Sequence, residues 1–211
     1  MKLWHDRWVP DYETKLGDPF PYQHEKFLKA TALQLKRRSL ALDVGAHVGL
    51  WTEQLLERFH QVIAFEPDPE KHECFTLNID SPRAILMRVA LGNKHRRVSL
   101  NQKPGTSLKT HVNLKATGEV TMHRLDDLGI VGVDFLKIDV EGYDFFVVDG
   151  AEETIRRDLP VIIVEQKPGV ATKRYGIKDT AAVELLKDWG YEVEMELRGD
   201  YIMRHKGGEH V

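Results

Sequence analysis

Short apolar runs alternate with segments of helical spacing along most of the chain. The runs with the length and composition of buried strands are LALDV, QVIAFEP, AILMRVAL, VDFLKIDV and PVIIVEQ. Segments with apolar residues at helical spacing follow most of these runs: HVGLWTEQLLERF, DPEKHECFTLNI, YDFFVVDGAEETIRR and DTAAVELLKDWG. This alternation predicts an α/β fold with a doubly wound, mostly parallel sheet that helices cover on both faces. YEVEMEL and DYIMRHK, on either side of Arg198 and Gly199, predict a closing antiparallel hairpin.

Two parts of the chain lie outside this alternation. Residues 1–23 are rich in aromatic side chains and predict an irregular arm, and residues 24–37 have the spacing of a helix. We expect residues 1–37 to pack as an arm and helix on one domain, residues 38–211. RRVSLNQ and GEVTMHRL predict a polar antiparallel excursion, and the segment between them, KPGTSLKTHVNLKAT, is predicted to be a solvated loop.

The stretch LALDVGAHVGLWT is the first candidate for a ligand site, because ligands of such sheets bind beyond the carboxyl ends of the strands. Gly45 follows the strand directly, where a glycine allows a sharp turn and lets a ligand lie against bare backbone. Gly49 is expected in the first helical turn, where it permits close packing. Asp43 ends the strand and is predicted to accept a hydrogen bond from a cationic group of the ligand.

Glu66 suggests which ligand the turn binds. It lies 21 residues after Gly45, at the end of the next strand, where an acidic residue can take both hydroxyls of an adenosine ribose. The alternative is a tight turn followed by a carboxylate that caps the next helix. Asp68 is the predicted N-cap of that helix. The spacing is G-x-x-x-G, with Ala46 and His47 where a pyrophosphate would need a glycine, and no P-loop lysine is present. These features favour S-adenosylmethionine, a nucleoside cofactor without phosphate.

Composition narrows the class of protein without naming a substrate. The net charge of −3 gives no reason to expect nucleic acid or an anionic membrane as partner. A single cysteine, Cys74, excludes an internal disulfide framework and suits a reducing compartment. The N-terminus has no apolar signal core and no run reaches the length of a membrane span, so we expect a soluble, cytoplasmic protein.

Several segments in order resemble the FkbM family of S-adenosylmethionine-dependent methyltransferases. They span about residues 38–167 and are LDVGAHVGLWT, VIAFEPDP, RVALG, LDDLGIVGVDFLKIDVEGYDFFVVDGA and PVIIVEQ. The resemblance implies the class I methyltransferase fold, a Rossmann-like, seven-stranded sheet with the last strand antiparallel. It also implies methylation of hydroxyl oxygens, often on sugars or sugar-bearing molecules.

The resemblance carries the family's site onto particular positions. Asp43, Gly45 and Gly49 match the turn at the methionine end of the cofactor, and Glu66 matches the ribose clamp. The predicted cofactor-binding residues are Asp43, Gly45, Ala46, His47, Gly49, Glu66, Pro67, Val89, Ala90 and Asp139. Two departures from the family occur: His47 replaces a common asparagine, and EQK follows the fifth strand without a nearby histidine.

Asp139, Glu141 and Glu165 are the predicted catalytic residues. They follow the fourth and fifth strands, which are neighbours in the expected order, so the three carboxyl groups should converge. They could act on the hydroxyl as base or substrate-orienting groups, with Glu165 or Asp139 as the proton acceptor, bind a divalent cation, or anchor backbone or cofactor. We favour the first role, because one acidic cluster without a histidine pair at ligand spacing argues against a metal. His95, His111 and His123 offer an alternative base, although solvated surface histidines are the simpler interpretation.

The predicted function is therefore methyl transfer from S-adenosylmethionine to a hydroxyl of a sugar or glycosylated small molecule. The alternatives are a methyltransferase for a nucleotide or nucleic acid, a cofactor-binding partner subunit without catalysis, and, least favoured, a dehydrogenase. DVEG stands where an amino-methylating enzyme usually has D/N-P-P-Y/F. A homo-oligomer is compatible with the sequence, and a membrane partner is not expected.

Overall fold

The computed structural model describes residues 1–13, 20–31, 35, 37–103, 106–115 and 118–207. The strands in chain order are β1 (Lys2–Trp4), β2 (Arg7–Val9), β3 (Leu40–Val44), β4 (Gln61–Phe65), β5 (Ala84–Met87), β6 (Ala90–Leu91), β7 (Arg96–Lys103), β8 (Thr106–Asn113), β9 (Val120–His123), β10 (Phe135–Ile138), β11 (Val161–Glu165), β12 (Tyr191–Leu197) and β13 (Asp200–His205). The helices are α1 (Phe20–Thr31), α2 (Leu50–Leu56), α3 (Pro69–Asn78), α4 (Asp144–Asp149), α5 (Glu152–Asp158), α6 (Val170–Tyr175) and α7 (Ala181–Asp188), with a 3-10 turn at Asp126–Leu128.

The main sheet has seven strands in the order β12-β13-β11-β10-β3-β4-β5. The five neighbouring strands β11, β10, β3, β4 and β5 pair in parallel. By contrast, β13 pairs antiparallel with β11, and β12 pairs antiparallel with β13. All residues of β3, β10 and β11 are buried, as expected for strands that are covered on both faces. The α/β, Rossmann-like fold of class I methyltransferases with its closing antiparallel hairpin is therefore confirmed.

Several element predictions fail where long-range contacts decide the outcome. AILMRVAL is not one strand: it divides into β5, in the main sheet, and β6, which pairs with β9 in a second sheet. YDFFVVDGAEETIRR is not one helix, because α5 starts separately from α4. The Asp126 carboxylate accepts hydrogen bonds from the N–H groups of Glu153 and Thr154, and so caps α5 rather than the short turn that contains it.

The second sheet has four strands in the order β6-β9-β7-β8. It contains the predicted polar excursion, but much of the predicted loop KPGTSLKTHVNLKAT is strand β8, paired antiparallel with β7. Leu100 lies opposite Val112, and Val112 is buried. The polar residues Lys109, His111 and Asn113 at alternate positions hide this face in the sequence.

The N-terminal region is more regular than predicted. In place of an irregular arm, β1 and β2 form a hairpin that packs on α3, where Trp8 and Asn78 exchange hydrogen bonds of 2.8 and 3.0 Å. Helix α1 begins at Phe20, before the predicted start, and residues 32–34 and 36 of the predicted helix lie outside the described residues. A buried ion pair between Lys26 and Asp200 joins α1 to the main sheet. The division at residue 37 stays a prediction.

Within the described part of the chain, every helix is too short or too polar to cross a bilayer. Cys74 is buried on α3, as expected, and burial raises the pKa of its thiol to about 11.

Candidate active site

The chain bends sharply after β3, and we call residues 44–49 the glycine turn. The N–H groups of Gly45 and Ala46 both donate to the carbonyl of Phe65, at 2.9 and 3.1 Å, which holds the turn against the end of β4. Gly45 has φ 79°, and a Cβ atom there would lie 1.9 Å from the carbonyl oxygen of Asp139. A side chain at this position would therefore separate the ends of β3 and β10.

Gly49 closes the turn and precedes α2 in a left-handed conformation, with φ 97°. The prediction that Gly49 lies in the first helical turn is wrong, because Gly49 is the N-cap that precedes this turn. A Cβ atom there would lie 2.7 Å from Cγ1 of Ile79, at the end of α3. Gly49 therefore lets α2 and α3 pack closely.

Asp43 is fully buried and has two partners from the protein. Its Oδ1 lies 3.0 Å from Nζ of Lys137, and its Oδ2 accepts a hydrogen bond of 2.7 Å from Thr52. Lys137 also donates to the carbonyl of Gly45, at 2.8 Å. The contact of Asp43 with a cationic ligand group stays a prediction, and in this structure both of its carboxylate oxygens face neighbours on β10 and α2.

Glu66 lies beyond β4 and joins the glycine turn to the start of α3. Its Oε2 accepts the N–H of His47 at 3.0 Å, and its Oε1 accepts the N–H of Asp68 at 3.0 Å. Nζ of Lys71 lies 3.8 Å from Oε1. Each carboxylate oxygen has a further lone pair, so these bonds leave capacity for two ligand hydroxyls. Asp68 caps α3 as predicted, since its Oδ1 accepts the N–H of Glu70 at 3.1 Å.

His47 stands in the turn with a positive φ of 54°. Burial, and then the positive charges of Lys71 and Lys137, lower the pKa of its imidazole well below the usual value. His47 is therefore neutral at physiological pH and adds no charge to the turn.

Asp139, Glu141 and Glu165, which we call the acid cluster, converge as the strand order predicts. One carboxylate oxygen from each lies within 4.8 Å of the others, and no other such group of three or more metal-ligating side chains occurs among the described residues. Lys167 pairs with Glu165, and Arg174 pairs with Glu141 at 3.0 Å. Two of the three acids therefore each have a positively charged side chain beside them.

The acids of the cluster differ in pKa because they compete for the same charges. Burial, and then Asp139, raise the pKa of Glu165 to about 9, although Lys167 lowers it. Burial also opposes ionisation of Asp139, but nearby lysines, first Lys137 and then Lys167, outweigh it and lower its pKa. Burial and then Asp139 raise the pKa of Glu141, against the effect of Arg174. Asp139 is therefore ionised at neutral pH, and Glu165 holds a proton.

The backbone around Glu141 is strained and is held from outside the loop. Glu141 has φ 60°, a conformation that costs on the order of 1–2 kcal/mol for a residue with a side chain. Asp144 accepts the N–H groups of Val140 and Gly142, at 3.1 and 3.0 Å, and Arg174 donates to the carbonyl of Glu141. Arg174 belongs to α6, a helix that was not predicted.

One cavity connects the glycine turn with the acid cluster. It is lined by Gln23, Val44, Gly45, Ala46, His47, Leu50, Trp51, Phe65, Glu66, Pro67, Lys71, Val89, Ala90, Leu91, Leu100, Thr110, His111, Val112, Lys137, Asp139, Val140, Glu141 and Tyr143. Strands β7 and β8 of the second sheet form one wall. The hydroxyl of Tyr175, on α6, donates to the carbonyl of Val112 at 2.9 Å and so fastens that wall to the loop side of the site.

Most of the predicted site residues meet at this cavity. Those that line it are Gly45, Ala46, His47, Glu66, Pro67, Val89, Ala90, Asp139 and Glu141. The lining does not include three predicted site residues: Asp43, Gly49 and Glu165. Their predicted roles as ligand or substrate contacts stay predictions.

The histidines of the excursion separate in space. His111 lines the cavity, and burial is the main cause that lowers its pKa. His95 and His123 lie outside the lining, with their Nδ1 atoms 3.1 Å apart on an exposed face. A histidine pair therefore exists despite its separation in the sequence, but it is not at the predicted site.

Lys137 and Arg174 are the functional candidates that the sequence interpretation missed. Lys137 had a signal: it is a lysine inside FLKI, a strand whose other residues are at most 1% exposed. A charged residue in such a strand requires a buried partner. Arg174 had no comparable signal, because its contact with Glu141 spans 33 residues.

Comparison with known proteins agrees with this geometry. The family model for the methyltransferase FkbM domain matches residues 43–193. The chain belongs to the FkbM methyltransferase family. A search of curated proteins finds no significant match to this FkbM chain.

Solved structures show the same fold at low sequence identity. An FkbM methyltransferase from Methylobacillus flagellatus is 16% identical with a TM-score of 0.50, covering 79% of this chain and 43% of that one. The FkbM chain described here thus spans less than half the length of that protein. A precorrin-6y C5,15-methyltransferase from Geobacter metallireducens is 16% identical, with a TM-score of 0.55 and coverage of 94% and 92%. A putative RNA methyltransferase from Pyrococcus horikoshii is 14% identical, with a TM-score of 0.53 and coverage of 99% and 94%.

Proposed function

We propose that this FkbM protein transfers the methyl group of S-adenosylmethionine to a hydroxyl oxygen of a sugar or glycosylated small molecule. The observation that carries the proposal is the single cavity whose lining includes Gly45 and Glu66 as well as Asp139 and Glu141. A cofactor on the turn and an acceptor hydroxyl beside the acids would share one enclosed space. Such an arrangement aligns two reactants and limits access of water.

The residues that line the cavity fit this cofactor. Glu66 would hold the ribose hydroxyls, because two backbone N–H groups fix its carboxylate and leave lone pairs to accept from them. Val89 and Ala90 would flank the adenine ring, and the bare backbone at Gly45 would receive the methionine end. When bound, S-adenosylmethionine supplies an electrophilic methyl group on a sulfonium. The fixed carboxylate of Glu66 disfavours a phosphate at the same place.

Glu141 is the proposed base, because it lines the cavity and its pKa is raised. A hydroxyl needs to lose its proton as its oxygen attacks, and a carboxylate of raised pKa accepts that proton more readily. Asp139, which is ionised, would accept a hydrogen bond from the acceptor and orient it. Glu165 is not among the lining residues and, in its protonated form, would hold Asp139 by donating a hydrogen bond to it.

Calorimetry with S-adenosylhomocysteine and with NAD tests the cofactor class. We expect the protein to bind S-adenosylhomocysteine and to ignore NAD, and binding of NAD alone would refute the proposal. Incubation with methyl-labelled S-adenosylmethionine and a panel of sugars, glycosides and nucleosides, read by mass spectrometry, tests the acceptor. Label that enters only nucleosides or RNA would replace the proposed substrate class.

A further inference from the structure

Lys137 is a buried charge whose contacts with β3 and the glycine turn go beyond its effect on Asp139. It lies on β10 directly opposite Asp43 of β3, and it is 4% exposed. Removing a charge from water costs several kcal/mol on the order-of-magnitude scale, and a hydrophobic residue would fill the strand more simply. The ion pair with Asp43 alone does not require a lysine here, because two apolar residues could replace both partners.

The additional contacts of Lys137 are with the glycine turn. Its Nζ donates to the carbonyl of Gly45 at 2.8 Å and lies 3.4 Å from the carbonyl of Val44. Thr52 of α2 holds the other oxygen of Asp43 at 2.7 Å. One polar chain therefore runs from α2 through Asp43 and Lys137 to the backbone of the turn.

The orientation of this backbone matters because a ligand lies against it. The N–H groups of Gly45 and Ala46 are already fixed by the carbonyl of Phe65. The Ala46 N–H and the Gly45 carbonyl belong to one peptide unit, and Lys137 fixes this unit from its carbonyl side. The turn is thus held from both sides before any ligand binds, which lowers the cost of ordering it.

Building on the proposed function, we propose that Lys137 is a positioning residue for the cofactor: its ammonium group joins the Asp43 carboxylate to the Gly45 carbonyl and thereby fixes the glycine turn. Lys137 acts through the backbone of the turn. Asp43, which the sequence suggested as a direct ligand contact, then serves as the anchor of this lysine.

The test removes both charges together. Lys137→Met alone would leave Asp43 buried and unpaired, and loss of stability would obscure the result. The double variant Lys137→Met with Asp43→Asn removes the pair and keeps a side-chain oxygen for Thr52. We expect about tenfold or greater loss of affinity for S-adenosylhomocysteine by calorimetry, the value of one charge-assisted hydrogen bond. Amide hydrogen exchange of the ligand-free protein should become faster in residues 44–49.

A second buried pair provides the matched control. Lys26→Met with Asp200→Asn removes an ion pair between α1 and β13 that is equally buried and does not contact the turn. This control should lose stability yet keep its affinity for S-adenosylhomocysteine within about twofold. The single variant Lys137→Arg, with Asp43 unchanged, keeps a positive charge and hydrogen-bond donors at this position. It should bind S-adenosylhomocysteine with most of the wild-type affinity.

The outcomes separate this inference from the proposed function. Unchanged affinity and unchanged exchange in residues 44–49 of the double variant would overturn the role of Lys137. If the wild-type protein does not bind S-adenosylhomocysteine, the proposed function fails instead, and the exchange data on the ligand-free protein still report on the turn. In turnover, the double variant should raise KM for S-adenosylmethionine more than it lowers kcat.

Discussion

Two groups of carboxylates stand at the same edge of the main sheet and differ in how they are held. Asp43 and Glu66 each have fixed donors: a lysine and a threonine for the first, two backbone N–H groups for the second. In the acid cluster, the carboxyl groups crowd one another within 4.8 Å. We therefore expect the first group to hold the shape of the site and, under the proposed function, the second to exchange a proton.

The difference follows from what comes after each strand. Glu66 meets the glycine turn and the start of α3, where two backbone N–H groups donate to its carboxylate. Asp139 and Glu165 follow two adjacent strands, so the charge of Asp139 raises the pKa of Glu165. The same residue type at the same edge therefore takes different roles according to its donors.

The largest effect on turnover should come from substitution of Glu141 in the acid cluster. Glu141→Gln removes the proposed base and should lower kcat by about 10²–10⁴-fold, while the affinity for S-adenosylhomocysteine stays close to wild type. The wild-type rate should rise with pH through the raised pKa of Glu141, and this limb should flatten in the variant. Glu152→Gln, on the exposed face of α5, is the control. Full activity of Glu141→Gln would assign the base elsewhere.

The glycine turn can be tested at Gly45, where it comes closest to the end of β10. Gly45→Ala places a Cβ atom 1.9 Å from a backbone oxygen, so the strand ends must move apart. We expect a loss of about 3 kcal/mol or more in the free energy of unfolding, measured by urea denaturation. Gly129→Ala has a similar φ, 66°, with nothing within 4 Å, and should cost only about 1–2 kcal/mol. Equal losses would show that close approach does not matter.

The ribose clamp should give an intermediate effect. Glu66→Ala removes a carboxylate that binds two backbone N–H groups, and should weaken S-adenosylhomocysteine binding by about 10–100-fold in calorimetry. Glu70→Gln changes a nearby exposed acid on the first turn of α3 and should bind normally. Tight binding by Glu66→Ala would mean that Glu66 serves only to cap the turn and α3.

The smallest effect should come from Glu165, which acts behind the cavity. A pKa of about 9 keeps Glu165 protonated at neutral pH, so that it can donate a hydrogen bond to Asp139, and it loses this proton as the pH rises through 9. Glu165→Gln keeps a donor and should stay within about threefold of wild-type activity, whereas Glu165→Ala should lose about tenfold. Steady-state rates from pH 6 to 10 measure both. If the alanine variant keeps full activity, Glu165 has no part in catalysis.

The sequence predicted the parts of the molecule that depend on local pattern. The strand and helix alternation, the bend at Gly45 and the cap at Asp68 all follow from residues within a few positions of each other. The convergence of Asp139 with Glu165 followed from the strand order of a doubly wound sheet, which is a general rule of topology.

The remaining features depend on contacts between distant segments. Nothing near Arg174 in the chain indicates that it would hold Glu141, and β8 appeared as a loop because its buried face carries few strongly apolar residues. Lys137 is an exception, because its position in a buried strand indicates that a buried polar group must pair with it. The sequence does not identify that group as Asp43. Sequence patterns thus indicate that a charge must be paired more readily than they indicate its partner.

The hydrogen bond between Tyr175 and Val112 has a consequence for engineering. It ends on a main-chain oxygen, so it places no demand on the side chain at position 112. The wall of the cavity can therefore change its contour at this point while its attachment persists. Substitution of Val112 by other apolar residues therefore offers a route to reshape the cavity while this attachment is kept.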